Sequence, residues 1–203
     1  MKRILICGAT GFIGKNLTLS LSKNKNYIVN AVRFSRKKYK APKNVIWHKG
    51  DLRNPKIVEK LTKNMDIVIQ AAATTSGSKD IVSKPFIHVT DNAIINSYLL
   101  RSCYNNKVKH FIFFSCTVMY PSSNKSTKET DYTGKIITKY KGAGETKVYI
   151  EKIANFYSML GKTKHTIIRH SNIYGPHDKY DLEKSHVFGA TITKVMNAKK
   201  ELN

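Results

Sequence analysis

The chain has 203 residues, of which 41% are hydrophobic and 10% aromatic, a composition typical of a globular domain and not of a disordered chain. Its net charge is +23, but the basic residues are mostly Lys and lie scattered along the chain, and the scarcity of Arg disfavours specific nucleic-acid recognition. We interpret this charge as a solvated basic surface, with a surface that attracts phosphate-bearing ligands or nucleic acid as the alternative.

The sequence also bears on membranes, metals and the cellular compartment. No apolar run approaches the length of a bilayer span, so a membrane protein is not expected. The three cysteines, Cys7, Cys103 and Cys116, are an odd number and lack metal-ligand spacing. They favour a reduced cytoplasm, with no disulfide framework and no metal site.

Short apolar strands alternate with amphipathic helices along the chain. Strands are predicted at 3–7, 27–32, 44–48, 66–73, 110–115 and 165–170. Helices are predicted at 12–23, 54–61, 85–104, 145–160 and 188–196. This alternation is typical of a parallel sheet covered on both faces. The sequence therefore predicts an α/β fold, a Rossmann-like doubly wound parallel sheet with helices on both faces.

The best-defined motif is the glycine-rich segment GATGFIG at 8–14, between the first predicted strand and the first predicted helix. Glycines let the backbone turn tightly and approach a pyrophosphate, while the helix N-terminus offers unpaired N–H groups and the positive end of its dipole. The motif therefore predicts a dinucleotide-phosphate site formed by Gly8, Thr10, Gly11, Phe12, Ile13 and Gly14.

The end of the second predicted strand bears on which dinucleotide binds. An NAD site needs a carboxylate there to accept from the ribose 2′-hydroxyl, but residues 30–40 contain no Asp or Glu. Arg33, Ser35 and Arg36 could instead hold a 2′-phosphate by charge-assisted hydrogen bonds, or they could belong to a generally basic surface. We predict NADP as the cofactor, with NAD as the alternative.

The spacing Gly-x-x-Gly-x-x-Gly resembles the extended short-chain dehydrogenase/reductase family, and further matches cover nearly the whole chain. GDL at 50–52 resembles the family's adenine-binding turn, and AAA at 71–73 resembles the small-residue strand end beneath the cofactor. Asn92 matches a structural asparagine, and RHSNIYGP at 169–176 resembles the substrate-side signature. The resemblance implies cofactor contacts from Asp51, Leu52, Ala71, Ala72, Ala73, Asn92 and Lys147, and substrate contacts from Tyr120 and Asn172.

The same resemblance implies how the chain is organised. Members of this family usually continue well past this length, and the added residues build a substrate lobe. We therefore expect a dinucleotide-binding Rossmann domain at 1–175 and the beginning of an incomplete substrate-binding lobe at 176–203. The implied partner is a nucleotide-diphosphate sugar, and a homodimer is compatible with the resemblance.

In this family a tyrosine transfers the proton, and a lysine four residues later, on the same helix face, lowers the tyrosine pKa. Lys147 matches the lysine, but the tyrosine position then holds Ala143, which cannot transfer a proton. We predict Tyr140 as the substitute, because Gly142 and Gly144 could let the chain fold its phenol back into the site.

The family's catalytic hydroxyl position is also altered. Its place, four residues before Tyr120, holds Cys116, flanked by Ser115 and Thr117. Because a thiol is a weak hydrogen-bond donor, Thr117 or Ser115 could have taken over the role. Cys116 as a covalent nucleophile is the other hypothesis, although no paired-base motif supports it.

The C-terminal part resembles one group within the family. YGPHD at 174–178 and SHV at 185–187 are similar to the GDP-L-fucose synthases, NADP-dependent epimerase-reductases in which the histidine of the second segment is an acid/base. That role maps onto His186, while the partner cysteine falls on Val118. The resemblance implies an NAD(P)-dependent nucleotide-sugar epimerase, dehydratase or reductase. A catalytically silent dinucleotide-binding module is the alternative, because of Ala143 and the short C-terminus.

Overall fold

The structure is a computed structural model that describes residues 1–74, 83–182 and 185–201. Within these ranges the strands are β1 (Lys2–Cys7), β2 (Tyr27–Arg33), β3 (Val45–Lys49), β4 (Ile67–Gln70), β5 (His110–Cys116) and β6 (Lys164–His170). The α-helices are α1 (Phe12–Leu21), α2 (Pro55–Thr62), α3 (Thr90–Asn105), α4 (Lys141–Leu160) and α5 (Val187–Glu201). Short 3₁₀ helices lie at Pro85–His88, Glu129–Asp131 and Thr138–Tyr140.

These strands form one parallel sheet in the order β3-β2-β1-β4-β5-β6. The chain first moves outward from β1 to β3 and then returns to place β4 on the other side of β1. Connections that leave in opposite directions open a crevice at the carboxyl ends of β1 and β4, where open α/β sheets bind their ligands. The predicted Rossmann-like doubly wound sheet is confirmed.

Both faces of the sheet are covered, which explains why its strands are almost continuously apolar. On one face Leu5, Val68 and Phe111 are buried in a cluster that includes residues from α2, α3 and α4. On the other face Ile6 and Val29 pack in a second cluster, which includes residues of α1. Each fully buried large aliphatic side chain contributes about 1.5–3 kcal/mol, so this two-sided core fixes the strand ends that carry the site.

Helix α2 begins where the sequence predicts. The Asn54 side chain accepts hydrogen bonds from the backbone N–H groups of Lys56 and Ile57, and Pro55 occupies the first turn, where its missing N–H costs nothing. None of the helices in the described ranges is long and apolar enough to cross a membrane.

Helix α4 differs from its prediction because it begins at Lys141 and not near 145. The 3₁₀ turn Thr138–Tyr140 leads directly into it, so Gly142 and Gly144 lie inside helical structure. A Cβ on Gly144 would lie 2.7 Å from Cγ2 of Ile136. Gly144 therefore lets the preceding loop pack against the helix. The prediction that Gly142 and Gly144 form a flexible segment is wrong.

Candidate active site

The loop between β1 and α1 is tightly packed against the end of β4. Gly8 has a φ of 74°, and a Cβ there would lie 2.7 Å from Cα of Ala72. A Cβ on Gly14 would overlap the carbonyl oxygen of Gly8. Gly11 differs, since its φ is −81°. A Cβ on Gly11 would have only the carbonyl oxygen of Gly8 nearby, at 3.2 Å. Gly8 and Gly14 thus shape the loop, while Gly11 keeps its outer surface open.

Helix α1 starts at this loop without a side-chain cap. Gly11 is the N-cap, and its carbonyl oxygen accepts the first helical hydrogen bond from the Lys15 N–H at 2.8 Å. The N–H groups of the first turn, which includes Phe12 and Ile13, have no partner within a helix, and the dipole adds positive potential. The loop therefore fits a pyrophosphate, as the predicted set from Gly8 to Gly14 requires.

A cleft of about 290 Å³ extends from this loop across the carboxyl ends of β1, β2, β3 and β4. It brings together Arg33, Asp51, Leu52, Ala72 and Ala73, which the sequence predicts as cofactor contacts. Its full lining is Gly8, Val32, Arg33, Phe34, Gly50, Asp51, Leu52, Arg53, Ala72, Ala73, Thr74, Asp91 and Ile95. Ala71 lies just behind this wall and donates its N–H to Cys7 O at 3.2 Å.

Asp51 is held in the cleft by Arg53. The guanidinium donates from Nη2 to Asp51 Oδ2 at 2.8 Å and from Nε to Asp51 Oδ1 at 3.0 Å. These bonds lower the pKa of Asp51, so the side chain is a carboxylate at neutral pH. A carboxylate only accepts hydrogen bonds, which suits the predicted contact with the exocyclic amine of adenine.

Arg53 is a residue of the cleft that the sequence prediction missed. Its Nη1 donates to Asp91 Oδ2 at 3.1 Å, which ties the turn after β3 to the first turn of α3. Its guanidinium carbon also lies 5.4 Å from the centroid of the Phe34 ring. The only sequence signal was a basic residue two positions after Asp51.

The two arginines predicted to hold a 2′-phosphate lie together beside the glycine loop. Arg33 Nη1 donates to the carbonyl oxygen of Arg36 at 3.3 Å, and Arg36 Nη1 donates to Thr10 O at 3.5 Å. Both contacts use backbone acceptors and leave the remaining guanidinium N–H groups for an anion. This position fits a phosphate on the adenosine ribose.

Buried amides shape the wall formed by residues 71–74. Gln70 accepts from Ala72 N at 3.1 Å and donates to Ala72 O at 3.0 Å, so its side chain replaces a strand partner where β4 ends. Asn92 accepts from Thr74 N at 2.9 Å and donates to Thr74 O at 3.0 Å and to His88 O at 2.8 Å. Asn92 would therefore act on a cofactor through Thr74, and Gln70 is a residue that the sequence prediction missed.

Lys147 reaches the carboxyl end of β5 from helix α4. Its Nζ donates to the carbonyl oxygen of Phe114 at 2.6 Å and lies 4.6 Å from the centroid of the Phe113 ring. Burial lowers the pKa of Lys147, and the neighbouring Cys116 and Glu151 oppose that effect. Ala143 precedes Lys147 by one helical turn and is half-buried.

Tyr140 lies at the N-cap of α4. The Nζ of Lys139 is 5.5 Å from the centroid of its ring. Within residues 1–74, 83–182 and 185–201 its hydroxyl has no hydrogen-bond partner, Lys147 included. The role of Tyr140 as an acid stays a prediction.

Ser115 and Tyr120 belong to a buried network behind Lys147. Ser115 Oγ donates to Glu151 Oε1 at 2.5 Å, and Arg169 Nη2 donates to Glu151 Oε2 at 2.7 Å. Arg169 Nη1 donates to the hydroxyl oxygen of Tyr120 at 2.7 Å. These side chains hold β5, β6 and α4 together, so the Ser115 hydroxyl and the predicted substrate contact Tyr120 are already engaged.

Cys116 lies at the end of β5, partly buried. Burial raises the pKa of Cys116, and the charge of Lys147 opposes this effect without cancelling it. The thiol is therefore protonated at neutral pH, which disfavours the hypothesis of a covalent nucleophile. Thr117, the next residue, is exposed and offers the free hydroxyl that the thiol does not.

The remaining predicted residues lie in the segments that follow β6. Asn172 and His186 are both exposed. His186 is among the groups that lower the pKa of His170, so the two histidines are close enough to interact. His170 was missed as a candidate because it was assigned to the 169–176 signature as a whole. No group of three or more potential metal ligands occurs in the part of the chain that the structure describes.

A family model described as the NAD dependent epimerase/dehydratase family matches residues 4–203. The chain belongs to this family. It is 27% identical over 201 residues to GDP-L-fucose synthase from Azorhizobium caulinodans, covering 97% of this chain and 60% of that protein. It is 29% identical over 200 residues to dTDP-D-glucose 4,6-dehydratase from Dictyostelium discoideum, covering 87% of this chain and 45% of that protein.

Solved structures of family enzymes share the fold. UDP-glucose 4-epimerase from Thermotoga maritima superposes with a TM-score of 0.79 at 26% identity, covering 93% of this chain and 61% of that one. The UDP-N-acetylglucosamine 4-epimerase from Methanobrevibacter ruminantium gives a TM-score of 0.83 at 22% identity, covering 97% and 63%, which supports the fold alone. The resemblance predicted from the motifs is confirmed. The chain spans between about half and two thirds of the length of these relatives.

Proposed function

We propose that this chain is the dinucleotide-binding part of an NADP-dependent enzyme that epimerises, dehydrates or reduces a nucleotide-diphosphate sugar. The observation that carries the proposal is the row of groups along the carboxyl edge of the sheet. Arg33 and Asp51 lie at one end, the open N-terminus of α1 lies in the middle, and Lys147 lies at the other end. This is the order in which the adenosine, pyrophosphate and nicotinamide parts of a dinucleotide would follow one another across the crevice.

The residues present fit each part of such a cofactor. The carboxylate of Asp51 accepts from the adenine amine, and Arg33 with Arg36 hold the 2′-phosphate. The first-turn N–H groups of α1 bind the pyrophosphate, and Lys147 donates to the nicotinamide ribose. When bound, the nicotinamide accepts or donates a hydride, which lets the enzyme oxidise and reduce a sugar carbon reversibly.

The relatives support a nucleotide sugar as the substrate, since their names refer to GDP-, dTDP- and UDP-linked sugars. Exposed Thr117 would donate to the reacting oxygen, and Asn172 and His186 would contact the sugar from the segments after β6. Helix α5 exposes the apolar side chains of Phe188, Val195 and Met196. This exposure supports the proposed division into a dinucleotide domain at 1–175 and a second lobe that starts at 176.

A catalytically silent dinucleotide-binding module is the second candidate. Ala143 favours it, because the position one turn before Lys147 carries no phenol to transfer a proton. The two candidates agree on cofactor binding and differ only in turnover.

One experiment tests the proposed function in two stages. Titration calorimetry with NADP⁺ and NAD⁺ should detect binding, with NADP⁺ the tighter ligand. The protein is then incubated with each cofactor form and a panel of GDP-, dTDP- and UDP-sugars, and product formation is followed by nuclear magnetic resonance of the sugar. Cofactor binding without any product would refute the enzyme and support the silent module. Absence of cofactor binding would refute both candidates.

A further inference from the structure

His170 is the last residue of β6 and lies beside the end of β5. It pairs in register with Cys116, and paired residues of parallel strands place their side chains on the same face of a sheet. Its ring centroid is 6.1 Å from that of Phe114, and the carbonyl oxygen of Phe114 accepts the hydrogen bond from Lys147. The imidazole is therefore part of the same carboxyl edge that presents Lys147.

The hydrogen bond of His170 fixes which ring nitrogen carries the proton. Nδ1 lies 2.6 Å from the backbone carbonyl oxygen of Ser171, and a carbonyl oxygen can only accept. Nδ1 is thus the donor, and in the neutral ring Nε2 has the free lone pair. A neutral histidine with this tautomer is a base at Nε2.

The groups around His170 keep the imidazole neutral. Burial is the largest cause of its lowered pKa, Lys147 on α4 and His186 before α5 act in the same direction, and the bond to Ser171 opposes them. Cys116, which pairs with His170 from β5, has a raised pKa and is uncharged at neutral pH.

The path of a dinucleotide brings its reactive end to this place. With adenosine in the cleft of Asp51 and the pyrophosphate at the N-terminus of α1, the second nucleotide has to continue along the carboxyl edge toward β4, β5 and β6. Lys147 and His170 lie at that end, on the carboxyl side of β5 and β6.

We propose that His170 takes the place of the missing phenol as the proton-transfer residue; this inference rests on the proposed function. In the oxidising direction the O–H bond of a sugar alcohol breaks and its proton moves to Nε2 of His170. The C–H bond on the same carbon breaks with its electron pair going to the nicotinamide of NADP⁺, the oxidant, and the C=O bond forms. In the reducing direction the imidazolium returns the proton to the oxygen.

A pair of ligands that differ in one charge tests this placement without requiring turnover. The nicotinamide ring is positive in NADP⁺ and neutral in NADPH, while their phosphates are the same. The Cε1–H resonance of His170 in ¹³C-histidine-labelled protein, assigned with His170→Gln, is titrated with each ligand at saturation. A positive ring beside Nε2 disfavours the imidazolium, so the midpoint should lie at lower pH with NADP⁺ than with NADPH.

His110 is the matched control, because it lies at the amino end of β5, and burial also lowers its pKa. Its midpoint should be the same with both ligands. Equal midpoints for His170 in the two complexes, with both ligands bound by calorimetry, would overturn the role of His170 and leave the dinucleotide site intact. Failure of either ligand to bind in calorimetry would instead refute the proposed function and, with it, this inference.

Discussion

Arg53 donates hydrogen bonds to both carboxylate oxygens of Asp51, from its backbone N–H to Oδ1 at 2.9 Å and from its Nη2 to Oδ2 at 2.8 Å. The pair fixes the carboxylate orientation in the cleft where adenine is proposed to bind. Because Arg53 also bonds to Asp91, it connects the turn after β3 to helix α3. Arg53 therefore controls both the charge and the position of the predicted adenine acceptor.

The first prediction concerns base selectivity. We expect Arg53→Met to weaken NADP⁺ binding and to reduce the preference for NADP⁺ over its hypoxanthine analogue, which lacks the exocyclic amine that a fixed carboxylate would recognise. Calorimetry with both ligands measures the preference. Lys56→Met, an exposed change on α2, is the control. An unchanged preference in Arg53→Met would show that Asp51 does not read the base.

The second prediction is a pH dependence of stability at the acid side. Hydrogen bonds from Arg53 lower the folded-state pKa of Asp51, and hydrogen bonds from Lys109 and Arg3 do the same for Asp66. A lowered folded pKa contributes stability that is complete above the unfolded value of about 3.9 and is lost as pH falls through the folded value. The free energies of urea unfolding of Asp66→Asn and of the unmodified protein should therefore differ less at pH 3 than at pH 6.

The third prediction separates cofactor choice from general basicity. Losing a charge-assisted contact costs about 1.5–3 kcal/mol. We therefore expect Arg33→Ala with Arg36→Ala to narrow the preference for NADP⁺ over NAD⁺ by about tenfold or more. The double variant Lys37→Ala with Lys38→Ala removes the same charge from the neighbouring exposed positions and should preserve the preference. Equal affinity for the two dinucleotides in the unmodified protein would contradict the assignment.

The fourth prediction distinguishes a binding glycine from a folding glycine. A Cβ on Gly11 is compatible with its φ of −81° and has one close neighbour, so Gly11→Val should fold and lose binding of both dinucleotides. A Cβ on Gly14 would overlap Gly8 O, so Gly14→Ala should lower the unfolding temperature whether or not ligand is present. Thermal unfolding with calorimetry measures both effects. Normal dinucleotide binding by Gly11→Val would show that this loop does not bind the phosphates.

The parts of the molecule that the sequence predicts are those encoded by local patterns. The buried strands are apolar runs, Asn54 and Pro55 mark the start of α2, and the glycine spacing marks the phosphate loop. The start of α4 was predicted too late, because Gly144 has a low helix propensity and the sequence does not show that it packs against Ile136 in the preceding loop.

The site residues that were missed depend on neighbours far away in sequence. Arg53 acquires its role from Asp91, Gln70 is held by a hydrogen bond to Asn96, and His170 acquires its role from pairing with β5. A linear pattern predicts Lys147, because its spacing from the tyrosine position lies within one helix. It could not indicate His170, because the residue that we propose as the substitute for the phenol lies on a different element.

The last prediction concerns the proton-transfer residue, because position 143 holds Ala143 where the family has a tyrosine. Tyr140, the acid predicted from the sequence, has no hydrogen bond to Lys147, whereas His170 lies on the same edge as this lysine. We therefore expect Tyr140→Phe to retain most of the turnover on a nucleotide sugar. His170→Gln should lower it by roughly 10²–10⁴, the usual contribution of a positioned proton-transfer group.

Ala143→Tyr then tests whether a phenol can replace the imidazole. Residue 143 lies one turn before Lys147 on α4, so a tyrosine there would have its pKa lowered by the ammonium, which a titration of phenolate absorbance measures. We expect Ala143→Tyr to restore turnover in the His170→Gln background and to change it little when His170 is present. Ala143→Phe, which adds the ring without the hydroxyl, should restore nothing. Rescue by the Phe variant would mean that filling the space beside Lys147, and not proton transfer, is what the site lacks.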